Sequence, residues 1–148
     1  MKLSWLDSPD APIDARELAR VGVLHERMSV DPVAYQPALD ELKREREYVE
    51  QDIVELSPTT PELPAICAKF SAEHLHTDDE VRYVLEGAGI FDIRSADDRW
   101  MRVVVEQGDL LVVPANLHHC FLLTETQHIR CVRLFKDKSG WIPHYRAS

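Results

Sequence analysis

A chain of 148 residues with 45% hydrophobic and 29% charged side chains has the size and make-up of one soluble globular domain that buries its core without staples. Its 26 Asp and Glu against 17 Lys and Arg leave a formal net charge of −9. That balance speaks against nucleic acid or an anionic membrane as partner, since both need phosphates neutralised, although a few buried cations can still receive a small anion.

Taken in chain order, "MKLSWLDSPDAP" lacks the apolar core of a signal peptide, and no later run is long enough to span a bilayer. From Asp14 to Leu56 the period is mostly helical, with a break near Pro32 and Pro37. "DARELARVGVL" offers Asp14 as a cap and Leu18, Val21 and Leu24 as one apolar face. "YQPALDELKREREYVEQDIVEL" continues helical spacing through Leu39, Leu42, Val49, Ile53 and Leu56, and its "KRERE" stretch reads as a solvated face. The prolines of "SPTTPELP" then stop any helix.

After Pro64 the reading changes to short strands: "AICAKFS", "EVRYVLEG", "GIFDIR", "WMRVVVE", "DLLVVP", "HCFLLT" and "HIRCVRLF". "EGAG" and "SADDR" read as hairpin turns. Strands at this spacing, with no long helices between them, predict an antiparallel barrel or sandwich. The expected organisation is one domain over residues 1–148, with a mainly helical N-terminal layer (1–64) and a β-barrel (65–148) carrying the site. Cys67, Cys120 and Cys131 are scattered and odd in number, which fits unpaired thiols in a reducing cytoplasm.

"EHLHTDDEVRYVLEG" is the stretch that carries chemistry. On a strand, His74 and His76 project the same way, and after a short turn Glu80 and Arg82 resume that face. Two imidazoles and a carboxylate converging inside a curved sheet make a borderline-soft site for a divalent metal. The bland alternative, a polar hairpin with exposed histidines, leaves the apolar strand after Glu80 unexplained. A further ligand is expected from "GDLLVVPANLHHCF". Neighbours on a strand face opposite ways, so one of His118 and His119 serves. His119 shares a face with Phe121 and Leu123 and is preferred, while His118 reads as a rim residue. His25, His128 and His144 stand alone and read as surface or satisfied core histidines.

These segments resemble the two motifs of the cupin superfamily. The first is met by His74, His76, Glu80 and Gly87, the second by Gly108, Pro114 and His119. Asn116 and Ala68 stand where cupins often have glycine, and Leu123 where many have asparagine. Within cupins, "EHLHTDDEVRY", "GIFDIR", "DRWMRV" and "RLF" followed by "GWI" are similar to the acireductone dioxygenase family of methionine salvage, over residues 70–145. The resemblance implies a cupin-type antiparallel β-barrel (jelly roll) and one Fe2+ or Ni2+ per monomer, held by His74, His76, Glu80 and His119. It also implies Arg82 as the cation facing the substrate's oxyanion, with Arg133 as a second catalytic candidate.

Phe121 and Trp141 are expected to wall the substrate pocket, and Glu73 and Asp79 to orient ligands or lie as solvated turn acids. The implied substrate is 1,2-dihydroxy-3-keto-5-(methylthio)pentene together with O2. The products are 4-methylthio-2-oxobutanoate and formate with iron, or 3-methylthiopropanoate, formate and CO with nickel. A cytoplasmic monomer acting on a small molecule is expected. The competing readings are another mononuclear-metal cupin, either a dioxygenase or a sugar or keto-acid isomerase, and a cupin ligand-binding or sensor module.

Overall fold

The computed structural model describes residues 1–75, 79–136 and 144–145. Its elements are β1 (Lys2–Trp5), α1 (Arg16–Arg20), β2 (Leu24–Arg27), α2 (Pro32–Arg46), β3 (Glu50–Leu56), α3 (Leu63–Ser71) and β4 (His74–Leu75). They continue with β5 (Glu80–Arg94), β6 (Trp100–Glu106), β7 (Asp109–Val113), β8 (His119–Leu123), β9 (Ile129–Phe135) and β10 (His144–Tyr145). No described helix is long and apolar enough to cross a membrane.

One strand, β5, organises the rest. Its first half pairs with β7 and β9, its second half with β6 and β8, all antiparallel. It therefore belongs to two sheets, β1-β6-β5-β8-β4-β10 and β2-β7-β5-β9-β3. The expected hairpin at "EGAG" does not form; the chain runs straight through it. A bulge between Val84 and Glu86 inserts one residue and shifts the side-chain parity. Before the bulge, Val84 points into the core, on the same parity as Glu80 and Arg82. After it, Phe91 and Ile93 do. One strand thus keeps a single face turned inward while bending from one sheet to the other. Gly87 permits the corner: its φ is 77°, and a Cβ there would sit 2.1 Å from the His128 carbonyl oxygen.

The inner faces of both sheets share one apolar core, in which Val84, Leu111, Val113, Ile129 and Cys131 meet Phe91, Ile93, Met101, Val103, Val105 and Phe121. Sheets joined by a common strand and a common interior form the antiparallel barrel that the sequence predicts. A second core lies on the outer face of the β7-β5-β9 sheet. Tyr35, Leu39 and Leu42 of α2 and Tyr48 cover Val81, Tyr83, Leu85, Leu110, Val112, Val132 and Leu134 there. The strands beneath α2 are buried on both faces, which is why "VRYVL" and "DLLVV" read as continuous apolar runs.

Asp31 caps α2 through the Val33 N–H, with Pro32 opening the helix. Glu47, at φ 63°, ends it at a left-handed residue.

Three element assignments differ from the sequence reading. Residues 1–64, expected as a mainly helical layer, supply three strands to the sheets, and helix is confined there mainly to α1 and α2. The helical spacing read through Leu56 ends at Arg46, and residues 50–56 pair with β9 as β3. Conversely, "AICAKFS", read as a strand, is helix α3, opened by Pro64 in its first turn. A seven-residue apolar run has no periodicity that distinguishes the two states, and its packing neighbours decide.

Candidate metal centre

Strand register assembles the site. His74 on β4 lies opposite His119 on β8, and His119 lies opposite Ile93 on β5, so both histidines point into the barrel in one row. Glu80 opens β5 opposite Val113, on the inward parity. The ligand atoms of His74, Glu80 and His119 fall within 4.8 Å of one another. The three residues are 1%, 3% and 1% exposed.

The two imidazoles are oriented in the same way. His74 Nδ1 lies 2.7 Å from the Ala72 carbonyl oxygen, and His119 Nδ1 lies 2.8 Å from that of Leu117. A carbonyl can only accept, so each Nδ1 carries the proton and each Nε2 is left as the basic nitrogen, the tautomer that a metal requires. His119 Nε2 lies 2.5 Å from Glu80 Oε2. At His119 burial opposes the charged ring, but the Glu80 carboxylate outweighs it and raises the pKa. At His74 burial dominates and lowers it. His119 Nε2 and Glu80 Oε2 thus meet at a place where a divalent cation would satisfy both. Buried, neutral nitrogen and carboxylate donors facing a common point fit a borderline divalent metal such as iron, nickel or zinc.

Arg82, two residues beyond Glu80, is 6% exposed and lies on the same inward face. Its Nε and Nη2 each lie 3.1 Å from Glu80 Oε1. Nη1 lies 3.6 Å from Cys131 Sγ, and the guanidinium carbon is 5.6 Å from the Phe121 ring centre. Burial pulls the Arg82 pKa down, yet Cys131 and Glu80 outweigh it and the net shift is upward, so the group keeps its charge. Phe121, expected in the pocket wall, is buried against Phe91 at 5.0 Å and beneath Arg82.

Arg133 lies opposite Arg82 across the β5–β9 ladder and shares its face. It makes a two-pronged pair with Asp52 of β3, at 2.8 and 2.5 Å. That partner comes from a segment the sequence reading assigned to helix, so nothing in the sequence announced it. Glu73 pairs with Arg94 at 3.1 and 3.2 Å, and Asp79 binds Tyr48, Arg46 and the Ala115 N–H. The non-ligand reading of His25 is matched by its 2.8 Å contact to buried Asp109. His118 is half-buried beside the site. Asn116 has φ 65°, the left-handed conformation that the glycine of the cupin motif would supply and that asparagine tolerates. His76 and Trp141 lie outside the described residues.

Cys131, Asp52, Tyr48 and Arg46 were not singled out as parts of the site by the sequence; Asp79 was, as a group that orients ligands or lies as a solvated turn acid, but its partners were not. Cys131 has one recoverable signal: it shares strand parity with Arg133.

Comparison with known proteins adds an independent line. Residues 4–143 match the model of the ARD/ARD' family. A protein of Heterostelium pallidum named acireductone dioxygenase is 43% identical over 143 residues, covering 97% of this chain and 96% of its own. One of Rattus norvegicus with the same name is 35% identical over 139 residues, covering 93% and 78%. The solved acireductone dioxygenase of Bacillus anthracis, with a cadmium ion in its active centre, superposes with a TM-score of 0.89 at 28% identity, covering 97% of this chain and 96% of that one. The fold is accordingly that of a cupin-type barrel, and the ligand-bearing strands and the match over nearly the whole length together establish that this chain belongs to the ARD/ARD' family.

Proposed function

We propose that this chain, an acireductone dioxygenase by kinship, uses one Fe2+ or Ni2+ to direct O2 cleavage of 1,2-dihydroxy-3-keto-5-(methylthio)pentene. With iron the products are 4-methylthio-2-oxobutanoate and formate; with nickel they are 3-methylthiopropanoate, formate and CO. The observation that carries the reading is the buried convergence of His74, Glu80 and His119 with Arg82 directly behind them, in a chain whose relatives bear that name.

His74, Glu80 and His119 would hold the ion, with His76 as the fourth ligand. When bound, the ion supplies Lewis acidity toward the enediol oxygens, and its identity selects the product set. The protein's own residues do the rest. The backbone carbonyls of Ala72 and Leu117 keep both imidazoles in the metal-binding tautomer. Glu80 supplies one negative charge to a site that receives a divalent ion. A doubly deprotonated enediol therefore still needs one positive charge, and Arg82 provides it from a buried position. Phe121, with Trp141 as its expected counterpart, offers apolar surface to the thioether tail, and Arg133, on the Arg82 face with its charge balanced by Asp52, is the second candidate to meet the substrate.

The working unit is taken as a monomer, and three free cysteines support a reducing, cytoplasmic setting.

Metal analysis followed by assay with enzymatically generated acireductone under air tests the proposal. Oxygen uptake with formate release is expected for the iron-loaded chain, and CO in addition for the nickel-loaded chain. Absence of oxygen uptake with either ion loaded would overturn it in favour of isomerase or binding-module chemistry.

A further inference from the structure

We propose that the Asp79 carboxylate is a positioning group for the metal centre, fastening the segment that carries Glu80 to the loop that delivers His119 and linking both to the end of α2. The inference rests on the reading of His74, Glu80 and His119 as metal ligands. Oδ1 of Asp79 accepts the backbone N–H of Ala115 at 2.9 Å. Oδ2 accepts the Tyr48 hydroxyl at 2.5 Å and Arg46 Nη1 at 3.3 Å.

Asp79 directly precedes Glu80, and Ala115 lies four residues before His119 in the loop between β7 and β8. One carboxylate thus joins the two stretches of chain whose ligand atoms, Glu80 Oε2 and His119 Nε2, meet at 2.5 Å. The β5–β7 ladder ends at the Glu80–Val113 pair, and Ala115 lies beyond it, so the Asp79 carboxylate extends the link one step past the last strand pair.

The far side of the clamp is built into the helical layer. Glu47, at φ 63°, reverses the chain at the end of α2, and Tyr48 returns its N–H to the Lys43 carbonyl. The Tyr48 ring is buried in the outer core with Leu39, Leu42 and Val81. Burial first, and the neighbouring Asp79 charge second, push the phenol pKa upward, so the hydroxyl stays a donor throughout the working range. A buried ring delivering a protonated hydroxyl has little freedom, and the carboxylate it holds has correspondingly little. Groups behind a metal ligand commonly alter metal affinity ten- to a hundredfold, because ligand atoms displaced by a few tenths of an ångström no longer converge.

The test loads the full chain with Co2+ or Ni2+ and measures release into excess chelator for Tyr48→Phe, Asp79→Asn and Leu42→Ala. The Co2+ absorption spectrum and the melting temperature of each variant are recorded alongside. Asp79→Asn is expected to release metal about tenfold faster or more, and Tyr48→Phe several-fold faster, each with an altered Co2+ spectrum. Leu42→Ala, which disturbs the same outer core without touching Asp79, is expected to melt lower yet release metal at the parent rate.

Release at the parent rate from both clamp variants overturns the proposal. So does equally fast release from Leu42→Ala, because the effect is then one of general stability. Tyr48→Phe removes one oxygen and keeps the buried ring, so the outcome does not depend on Asp79→Asn folding. A parent chain that takes up no ion overturns the metal reading itself, and is distinguished by needing no variant.

Discussion

Arg82, buried against Glu80, is the side chain proposed to separate holding an ion from using it. Glu80→Ala and His119→Ala each remove a donor from a buried three-residue set, and metal content after purification is expected to fall sharply in both. Arg82→Ala leaves those donors in place. It is expected to retain metal and to lose turnover by about 10²–10³, the usual cost of removing one group that stabilises a developing oxyanion. Metal content and oxygen uptake measured on the same preparations separate the two effects; normal turnover by Arg82→Ala removes it from the mechanism. His74, Glu80 and Arg82 could be read from the sequence because they lie close together on one strand and its lead-in, where alternation puts them on one face. His119 comes from a second segment, and the resemblance supported its choice and supplied the role expected of Arg82. Asp79 was visible as an acid that either orients a ligand or lies solvated in a turn, with no partner indicated. Its role depends on Tyr48 and Ala115, which are 31 and 36 residues away in sequence.

At the scale of elements, the bulge in β5 is the feature on which the site's placement turns. Without its extra residue, the face carrying Glu80 and Arg82 would continue into the outward side of the second sheet. Gly87→Ala places a Cβ against the His128 carbonyl in a left-handed conformation, and is expected to cost at least about 2 kcal/mol in urea unfolding. A neutral result would mean that the corner can relax elsewhere.

Element identity was less legible than element position. "EQDIVEL" is rich in helix formers, yet it pairs residue for residue with β9, and those ladder bonds outweigh an intrinsic preference of a few tenths of a kcal/mol per residue. "AICAKFS" errs the other way: its apolar residues suit a strand, but it forms a helix behind Pro64.

For the molecule as a whole, Asp109 ties the N-terminal strands to the barrel. Its fully buried carboxylate receives His25 at 2.8 Å, Arg27 at 3.0 Å, the Glu106 N–H at 2.9 Å and the chain's amino group at 3.2 Å. Burial acts to raise its pKa, but these partners, His25 foremost, outweigh it and hold the pKa below the usual carboxylate value. A depressed folded pKa means that the unfolded chain binds the proton more readily. The stabilisation is therefore complete above the ordinary carboxylate range and is lost as pH falls through the folded value. Asp109→Asn is expected to cost on the order of 2 kcal/mol at pH 7, with the gap to the parent closing below about pH 4. Urea midpoints measured for both chains across that range check it; a gap independent of pH would assign the loss to packing.

By itself the sequence determined the barrel class, the strands that carry the candidate ligands and a donor set suited to a divalent metal, although it placed a turn at "EGAG", where the structure has a continuous strand. These follow from alternation, turn residues and donor chemistry, all of which act over a few neighbouring residues. The tertiary structure alone decided that three strands of the first 64 residues complete the sheets. It also decided that Asp52 anchors Arg133, that Cys131 touches Arg82 and that Asp79 joins two ligand segments. Those contacts depend on register between distant strands and on a single inserted residue in β5, and short-range pattern carries no information about which distant partner a strand will meet.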